Sequence, residues 1–293
     1  MFKNFDALQE LAKGKDQKAI AIAAAEDTNT TEALKELKAH LDVKYFLIGD
    51  GEKMKTACAE AGLDMSDATI VETTSDEESA AKAVELCRTG EADILMKGKL
   101  GTATLLKAVL NKETGIQQGG LMSHLAVIEC PTYHKLMFIT DGGINPAPDL
   151  AKKQSILENT VSFMHKLGMA EPKVACLCAV ETVSEKMPET IDAAELAKIT
   201  NGCYVEGPIS FDLAISAESA KIKGFDSKLA GDVDVLLMPN ISTGNVTTKA
   251  LLYLGNAKMA GCVLGAKVPI VLTSRGATAE EKLLSFLLTL AAG

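Results

Sequence analysis

The chain has 293 residues, 47% of them hydrophobic, so it is long enough to bury one large core or two of roughly 100 to 150 residues each. Its net charge of −9 argues against a nucleic-acid surface, because phosphate backbones are bound by clustered lysine and arginine. No apolar run reaches the roughly 18 residues that cross a bilayer, and the start lacks a signal-peptide core, so we expect a cytoplasmic protein without membrane contact.

The alternation of apolar and amphipathic segments predicts an α/β fold. Aromatic residues make up only 4% of the chain, which favours helices packed on parallel strands over a β-sandwich. Short apolar runs alternate with helical patterns of about ten to fifteen residues, as in repeated βαβ units. In the first half we predict helices at 30–41 and 75–87, the second with Ser75 and Glu78 at capping-box spacing. The predicted strands of this half are 18–25, 44–50, 68–72 and 92–98.

The alternation of strands and helices is interrupted in the middle of the chain. Residues 124–130 and 135–141 predict two strands whose link is too short for a parallel crossover, so they should pair antiparallel. The stretch GGINPAP then combines glycines, which allow many backbone conformations, with prolines, whose φ is fixed. We place a hinge at about 140–148. The remaining predicted elements are strands at 174–180, 233–239, 262–266 and 269–274, and helices at 149–168, 188–199, 243–254 and 278–292.

Two domains follow from this division. The first α/β domain is predicted at 1–142 and the second at 143–277. The last helix is apolar around most of its circumference, so it should be buried, and we expect residues 278–293 to rejoin the first domain.

Cysteine and histidine give no sign of a metal site or a disulfide framework. The seven cysteines are scattered and odd in number, which indicates reduced thiols. Cys176 and Cys178 would share one face of a strand, so a ligand pair is conceivable, but small apolar core residues explain them better. The four histidines lack any i, i+4 partner, so no metal is predicted.

Three junctions between a predicted strand and the following helix could bind an anion. The first is MKGKLGTATLLKAVL, where lysines surround two glycines at a helix start with free N–H groups. This turn is a credible phosphate cradle, although solvated lysines on a tight turn are the plainer interpretation. Its candidate binding residues are Lys97, Lys99, Gly101, Thr102 and Lys107.

The second junction is VPIVLTSRGATAEEKLL, which delivers Ser274 and Arg275 to a glycine turn before the last helix. Arginine there could grip phosphate oxygens with two hydrogen bonds. Glu280 and Glu281 fall in the first helical turn, where acids also complement the helix macrodipole. Both the chemical and the structural interpretation of these acids stay open at this point.

The third junction is LLMPNISTGNVTTKALLYLG, with Asn240, Gly244 and Asn245 between a buried strand and a helix. Its amides could shape a wall for a carbonyl or phosphate, yet asparagine and glycine are also common turn formers. Asp212 in the nearby segment GPISFDLAI has the same ambiguity. The usual glycine fingerprints of nucleoside-triphosphate and dinucleotide sites are absent, as is the G-x-S-x-G elbow of hydrolases, which disfavours kinases, typical dehydrogenases and hydrolases.

At these junctions the sequence resembles the phosphate acetyl/butyryltransferase family, most closely its phosphate butyryltransferase branch. The resemblance runs from about Glu91 to the C-terminus through ordered blocks: GEADILMKGKLGTATLLKAVL, FITDGGINPAPDLAKK, GPISFDLAI, AGDVDVLLMPNISTGN and VPIVLTSRG. It implies a two-lobed three-layer α/β enzyme resembling the isocitrate and isopropylmalate dehydrogenases, with the cleft between lobes. A homodimer or higher homo-oligomer is implied as well.

The resemblance also implies roles for individual residues. Ser274, Arg275 and Glu281 match the catalytic Ser-Arg pair and acid of acetyl-directed relatives, which have aspartate where this chain has Glu281. Lys107 replaces an arginine of those relatives and keeps the charge without the planar fork. The substrates would be acyl-CoA and inorganic phosphate, with coenzyme A as a substrate and no permanently bound cofactor.

The expected reaction is direct attack of the coenzyme A thiolate on an acyl phosphate, with a butyryl or branched short acyl group favoured. A cysteine-borne acyl intermediate is the rival mechanism. Three rival functions are a phosphate acetyltransferase, a non-catalytic sensor of acyl-CoA or acyl phosphate, and a metal-dependent decarboxylating dehydrogenase. The last would need clustered aspartates, which the sequence lacks.

Overall fold

The computed structural model describes residues 2–199, 202–274 and 276–293. In chain order, its strands are β1 (Lys18–Ala23), β2 (Val43–Gly49), β3 (Ala68–Glu72), β4 (Ile94–Lys97), β5 (Ser123–Glu129), β6 (Met137–Thr140), β7 (Lys173–Leu177), β8 (Tyr204–Ile209), β9 (Val235–Leu237), β10 (Lys258–Leu264) and β11 (Ile270–Val271). Its helices are α1 (Phe5–Lys13), α2 (Thr28–His40), α3 (Gly51–Ala61), α4 (Asp76–Thr89), α5 (Thr102–Val109), α6 (Leu150–Lys166), α7 (Pro188–Leu196), α8 (Phe211–Ile215), α9 (Ala217–Lys223), α10 (Ile241–Tyr253) and α11 (Ala279–Ala292).

The chain forms two compact units that each combine separate segments. The terminal unit comprises Asp6–Met122 and Ala260–Gly293, and the middle unit comprises Met1–Phe5 and Ser123–Met259. The predicted boundaries at residues 142 and 277 differ from these divisions. The division into a first domain at 1–142, rejoined by 278–293, and a second at 143–277 stays a prediction.

In the terminal unit the strands run in the order β3-β2-β1-β4-β11-β10. All neighbours are parallel except β10 and β11, which pair antiparallel through Val263 and Ile270. The chain moves outward from β1 through β2 to β3 and then returns to β4 on the other side of β1. Open α/β sheets bind ligands at the carboxyl ends of strands where the order reverses in this way.

In the middle unit the order is β5-β6-β9-β7-β8. The pair β5 and β6 is antiparallel, with Ala126 opposite Ile139, so the prediction of an antiparallel pair is confirmed. The other pairs are parallel. Strand β8 was missed because Gly207 and Pro208 interrupt its pattern, and proline is tolerated here since β8 lies at the edge of this unit's strand order.

The capping box predicted at the start of α4 is present only in part. The Ser75 hydroxyl accepts the Glu78 N–H at 3.2 Å, as predicted, but the Glu78 carboxylate accepts from Thr74 N rather than Ser75 N. The reciprocal half of that capping box is therefore displaced by one residue. The last helix, α11, is buried from Leu284 to Ala292 and packs on α2 in the terminal unit, so its predicted burial is confirmed. Among the described residues, no helix is long and apolar enough to cross a membrane.

Candidate active site

The first predicted junction lies where β4 ends in the terminal unit. Gly98 donates its N–H to Ala23 O and Lys99 donates to Ala24 O, both at 2.8 Å, so the β4 exit is held against the β1 exit. A methyl group on Gly98 would overlap the carbonyl of Ala24 and stand 2.7 Å from that of Ala23. Gly98 is therefore required by close backbone packing.

The lysines of this junction have different environments. Lys97 is buried, and its ammonium donates to the carbonyls of Gly98 and Leu100 at 3.1 and 3.3 Å, which holds the turn closed. Lys99 is exposed beside it. Lys107 is also exposed and lies in the last turn of α5, where a cation complements the helix macrodipole.

The start of α5 lacks a side-chain cap. Gly101 is the N-cap residue and makes no side-chain hydrogen bond, and Thr102 follows as the first helical residue. The first N–H groups of a helix have no partner within the helix, so an uncapped start near a lysine suits an anion. Gly101 itself has an ordinary φ of −68°, and a methyl group there would meet only Thr104 Oγ1, at 3.7 Å, so the backbone does not require glycine there.

The second junction leaves the neighbouring strand at the same edge. Strand β11 pairs with β4 through Val271 and Met96, and Ser274 follows three residues beyond Val271. Ser274 is exposed, its hydroxyl accepts the Gly276 N–H at 3.4 Å, and its carbonyl accepts the Ala277 N–H at 3.1 Å. Arg275, the predicted partner of Ser274, lies outside the described residues.

Glu281 takes part in a complete capping box. Thr278 is the N-cap of α11, its hydroxyl accepts the Glu281 N–H at 3.2 Å, and Glu281 Oε2 accepts the Thr278 N–H at 2.9 Å. One carboxylate oxygen thus has a structural role. The sequence TAEE carried this capping signature, and both of the interpretations that the sequence left open for Glu281 remain compatible with its position.

A loop that the sequence interpretation missed supports both junctions. This β1–α2 loop (residues 24–31, including the first turn of α2) accepts Lys99 N at Ala24 O and donates from Asn29 Nδ2 to Ala277 O at 3.2 Å. Its Asp27 caps α2 and accepts from the ammonium of Lys282 at 2.5 Å, while Thr30 accepts from the same ammonium at 2.7 Å. The first and second junctions therefore share one support.

The charge pair in this loop is largely buried. Burial alone would raise the pKa of Asp27, but hydrogen bonds from Lys282 and Thr30 and the ammonium charge outweigh it and hold that pKa below its usual value. Asp27 is therefore ionised at neutral pH. Lys282 is only 5% exposed, so removal of either partner would leave a poorly solvated charge without its counter-ion.

The third junction lies in the middle unit, where its residues hold the start of α10. Asn240 is the N-cap and accepts the Thr243 N–H at 3.0 Å. A methyl group on Gly244 would stand 2.6 Å from Asp141 O, so α10 approaches the β6 exit too closely for any side chain there. Asn245 Nδ2 donates to Gly142 O at 3.3 Å. Structural interpretations therefore account for all three residues.

A cavity of about 730 Å³ opens beside Asn240 in the middle unit. Most of its lining is apolar and comes from the outer face of α10 and the end of β7. Val246 on α10 is 67% exposed, and Leu254, the C-cap residue of this helix, is 88% exposed. Cys178 lines this cavity and is the only half-buried cysteine, since the other six are buried.

His124 and Asp141 form a second feature that the sequence interpretation passed over. The Asp141 carboxylate accepts from the backbone N–H groups of His124, Gly143 and Ile144 and from Asn145 Nδ2, at 2.6 to 3.1 Å. The segment predicted as a hinge is thus pinned to β5 and β6. Burial lowers the pKa of His124, although Asp141 favours the protonated form, so the ring is neutral. Its Nδ1 is buried without a hydrogen-bond partner among the described residues.

Across residues 2–199, 202–274 and 276–293, no group of three or more histidine, cysteine, aspartate or glutamate side chains could hold a metal ion. The cysteines of the described structure are all free thiols.

A parallel α/β sheet whose neighbouring strand exits carry lysines, an uncapped helix start and a serine turn defines a protein that acts on anionic substrates. The family model described as phosphate acetyl/butaryl transferase matches residues 73–290, and this chain belongs to that family. It is 42% identical to the phosphate butyryltransferase of Clostridium acetobutylicum, over 98% of this chain and 97% of that protein. It is 41% identical to a phosphate acetyltransferase of Rhizobium meliloti, over 82% and 77% of the two chains.

Solved structures agree with the predicted α/β class. A branched-chain phosphotransacylase from Enterococcus faecalis matches with a TM-score of 0.85 and 32% identity, covering 94% of this chain and 99% of that one. A 4-hydroxythreonine-4-phosphate dehydrogenase from Klebsiella pneumoniae matches with a TM-score of 0.56 at 11% identity, over 95% and 100% of the chains, which is a likeness of fold alone. The predicted α/β class and family are confirmed.

Proposed function

We propose that this chain transfers a short acyl group reversibly between coenzyme A and inorganic phosphate. The observation that carries the proposal is the convergence of two junctions, β4–α5 and β11–α11, on neighbouring parallel strands of the terminal unit. One junction supplies lysines and free amide donors, and the other supplies Ser274 and Glu281. Family membership supports acyl transfer as the chemistry.

In the proposed mechanism, Glu281 accepts the thiol proton of coenzyme A. A thiol with a pKa near 8.5 is only a few per cent thiolate at neutral pH, so a carboxylate base accelerates its attack. Because Oε2 of Glu281 is held by Thr278 N–H, the proton goes to Oε1. The capping bond also fixes the direction of the carboxylate, which a general base needs.

The thiolate then attacks the acyl carbonyl, forming a C–S bond as the C–O bond to phosphate breaks. Ser274 and backbone N–H groups stabilise the developing oxyanion, and the departing phosphate takes the proton from Glu281. Arg275 and Lys107 hold phosphate, with Lys99, Gly101 and Thr102 forming its cradle and Lys97 keeping that turn closed from behind. Lys107 suits this role despite its place in the last turn, since helical side chains lean toward the helix start.

The middle unit contributes Asn240, Gly244 and Asn245 to substrate binding in this proposal, in addition to their structural contacts at the start of α10. An arrangement resembling the isocitrate and isopropylmalate dehydrogenases, with a cleft between lobes, stays a prediction. A homo-oligomer, a cytoplasmic location and the lack of a permanently bound cofactor also stay predictions.

We propose a butyryl or branched short acyl group as the preferred substrate. The names of the similar Clostridium and Enterococcus proteins support this preference, and the Rhizobium protein favours acetyl as the second candidate. One methylene changes binding by roughly 1 to 3 kcal/mol in an apolar pocket, so the acyl groups should differ measurably.

The test is an assay of free thiol release from acetyl-, butyryl- and isobutyryl-CoA by the purified chain, with and without phosphate. We expect phosphate-dependent release, fastest with butyryl- or isobutyryl-CoA. Intersecting double-reciprocal lines would agree with a ternary complex. Parallel lines, with acyl label retained on the protein, would favour the cysteine intermediate instead. Full activity in Arg275→Ala would contradict the proposed site.

A further inference from the structure

The ion pair between Asp27 and Lys282 lies directly behind the turn that bears Ser274 and Glu281. Lys282 follows Glu281 in the first turns of α11, and its side chain crosses to α2, where it donates to Asp27 and Thr30. Asn29 Nδ2 holds Ala277 O on the other side of Thr278. The turn is thus anchored on both sides of its N-cap residue.

Stability alone does not account for this pair. A lysine near the start of a helix opposes the macrodipole, and burying its ammonium costs solvation that the partner carboxylate only offsets. Apolar side chains of similar volume often stabilise such a position as well or better. What an ion pair adds is one specific geometry, since its hydrogen bonds form in a single arrangement.

The loop on the other side of the pair is equally constrained. Thr30 and Thr31 are fully buried, and Thr31 Oγ1 donates to Ala57 O of α3 at 3.0 Å. Ala24 has a left-handed φ of 55°, which is uncommon for alanine, while its carbonyl holds Lys99 N. The β1–α2 loop is therefore a fixed platform between the phosphate cradle and the Ser274 turn.

We propose that Asp27 and Lys282 are positioning residues for acyl transfer, which hold Ser274 and Glu281 at a fixed place relative to the β4–α5 turn. The inference rests on the proposed function, because it takes Ser274 and Glu281 to be the reacting groups. Neither Asp27 nor Lys282 is assigned contact with substrate. Their loss should lower kcat through misplacement of Glu281, with little change in the KM for coenzyme A.

The chain offers a closely matched control pair outside this region. Lys153 on α6 and Asp192 on α7 are joined at 2.7 Å, with side chains 7% and 25% exposed. Lys282 and Asp27 are joined at 2.5 Å, with side chains 7% and 23% exposed. In both pairs, replacing lysine with methionine and aspartate with asparagine roughly keeps the size of the side chains. Asparagine at position 27 can still cap α2.

The experiment compares Asp27→Asn/Lys282→Met with Lys153→Met/Asp192→Asn by thermal unfolding and steady-state kinetics. We expect the two double variants to have similar melting temperatures. Relative to wild type, kcat should be about 10- to 100-fold lower in the first double variant and nearly unchanged in the control. Lys282→Arg keeps the cation and should retain more activity than Lys282→Met. Equal kcat values for the two double variants would overturn the inference.

Backbone amide exchange supplies a readout that does not depend on activity. The first double variant should lose protection at residues 277–282 beyond any loss in the control. If the wild-type chain releases no thiol from any acyl-CoA, the proposed function fails, and the exchange result alone decides the positioning. Unchanged exchange at residues 277–282 in the first double variant would overturn the positioning role. Exchange is measured in Lys282→Arg as well, so that a second variant is available if the double variant is too unstable for kinetics.

Discussion

Gly98 donates its backbone N–H to Ala23 O at 2.8 Å, and its Cα has no room for a methyl group beside the Ala24 carbonyl. This contact sets the distance between the exits of β1 and β4, where the sheet order reverses. Gly98→Ala should therefore lower the free energy of unfolding by about 1 to 3 kcal/mol and reduce kcat by displacing Lys99. Gly120→Ala is the matched control, because no atom lies within 4 Å of a methyl group there. Urea unfolding that left the two variants equally stable would contradict the packing argument.

Glu281 has two separable roles, a capping bond and a proposed proton acceptor. Glutamine keeps an oxygen that can accept Thr278 N–H but loses the basic carboxylate, so Glu281→Gln should keep the free energy of unfolding within about 0.5 kcal/mol of wild type. Its kcat should fall about 10²- to 10⁴-fold. The comparison is Thr278→Ala, which loses the N-cap and about 1 kcal/mol of stability. A Glu281→Gln enzyme with wild-type kcat would show that the acid serves only as a cap.

Much of the fold could be predicted because the local pattern of apolar and polar residues indicates its strands and helices. The buried parallel strands β1, β2 and β4 are short apolar runs between amphipathic helices, and their ends were predicted within a few residues. Strand β8 could not be found in the same way, since Gly207 and Pro208 look like a turn. Only the low hydrogen-bonding demand of an edge strand permits that proline.

The sequence could propose a candidate site only where its residues are close together in the chain. The Ser274 and Lys97–Lys107 segments are continuous in sequence, so their chemistry is visible without a structure. The contact between Asp27 and Lys282 joins residues 255 positions apart, and no local pattern pairs them. The sequence does contain one indication of this contact. Lys282 lies in the first turns of a helix, where a lysine opposes the macrodipole and is better tolerated beside a carboxylate.

The cysteines should be poor nucleophiles in the folded chain. Burial raises the pKa of Cys178 to about 11, with a smaller contribution from Glu189, and burial raises the pKa of Cys87 to about 12. The thiolate is the reactive form, so iodoacetamide at pH 7.5 should label the native protein slowly and label all seven thiols after unfolding. One rapidly labelled cysteine whose modification abolishes activity would instead favour a cysteine-borne acyl intermediate.

Asp27 predicts how stability changes in acid. Its pKa is lower in the folded chain than its usual value of 3.8, so the folded state binds a proton at Asp27 less readily than the unfolded state does. The resulting stabilisation is fully present above the unfolded pKa and is lost as the pH falls through the folded pKa. The stability difference between wild type and Asp27→Asn should therefore shrink as the pH is lowered from about 5 to below 3.8. Urea unfolding across this range measures it, and a difference independent of pH would contradict the pairing.

The central claim is that this chain transfers an acyl group from the thioester of acyl-CoA to inorganic phosphate. Phosphorus NMR of butyryl-CoA mixed with inorganic phosphate and the purified chain tests it most directly. We predict an acyl phosphate signal that grows in step with free thiol and disappears when coenzyme A is added in excess. Thiol release without an acyl phosphate signal, at a rate independent of phosphate, would contradict the account.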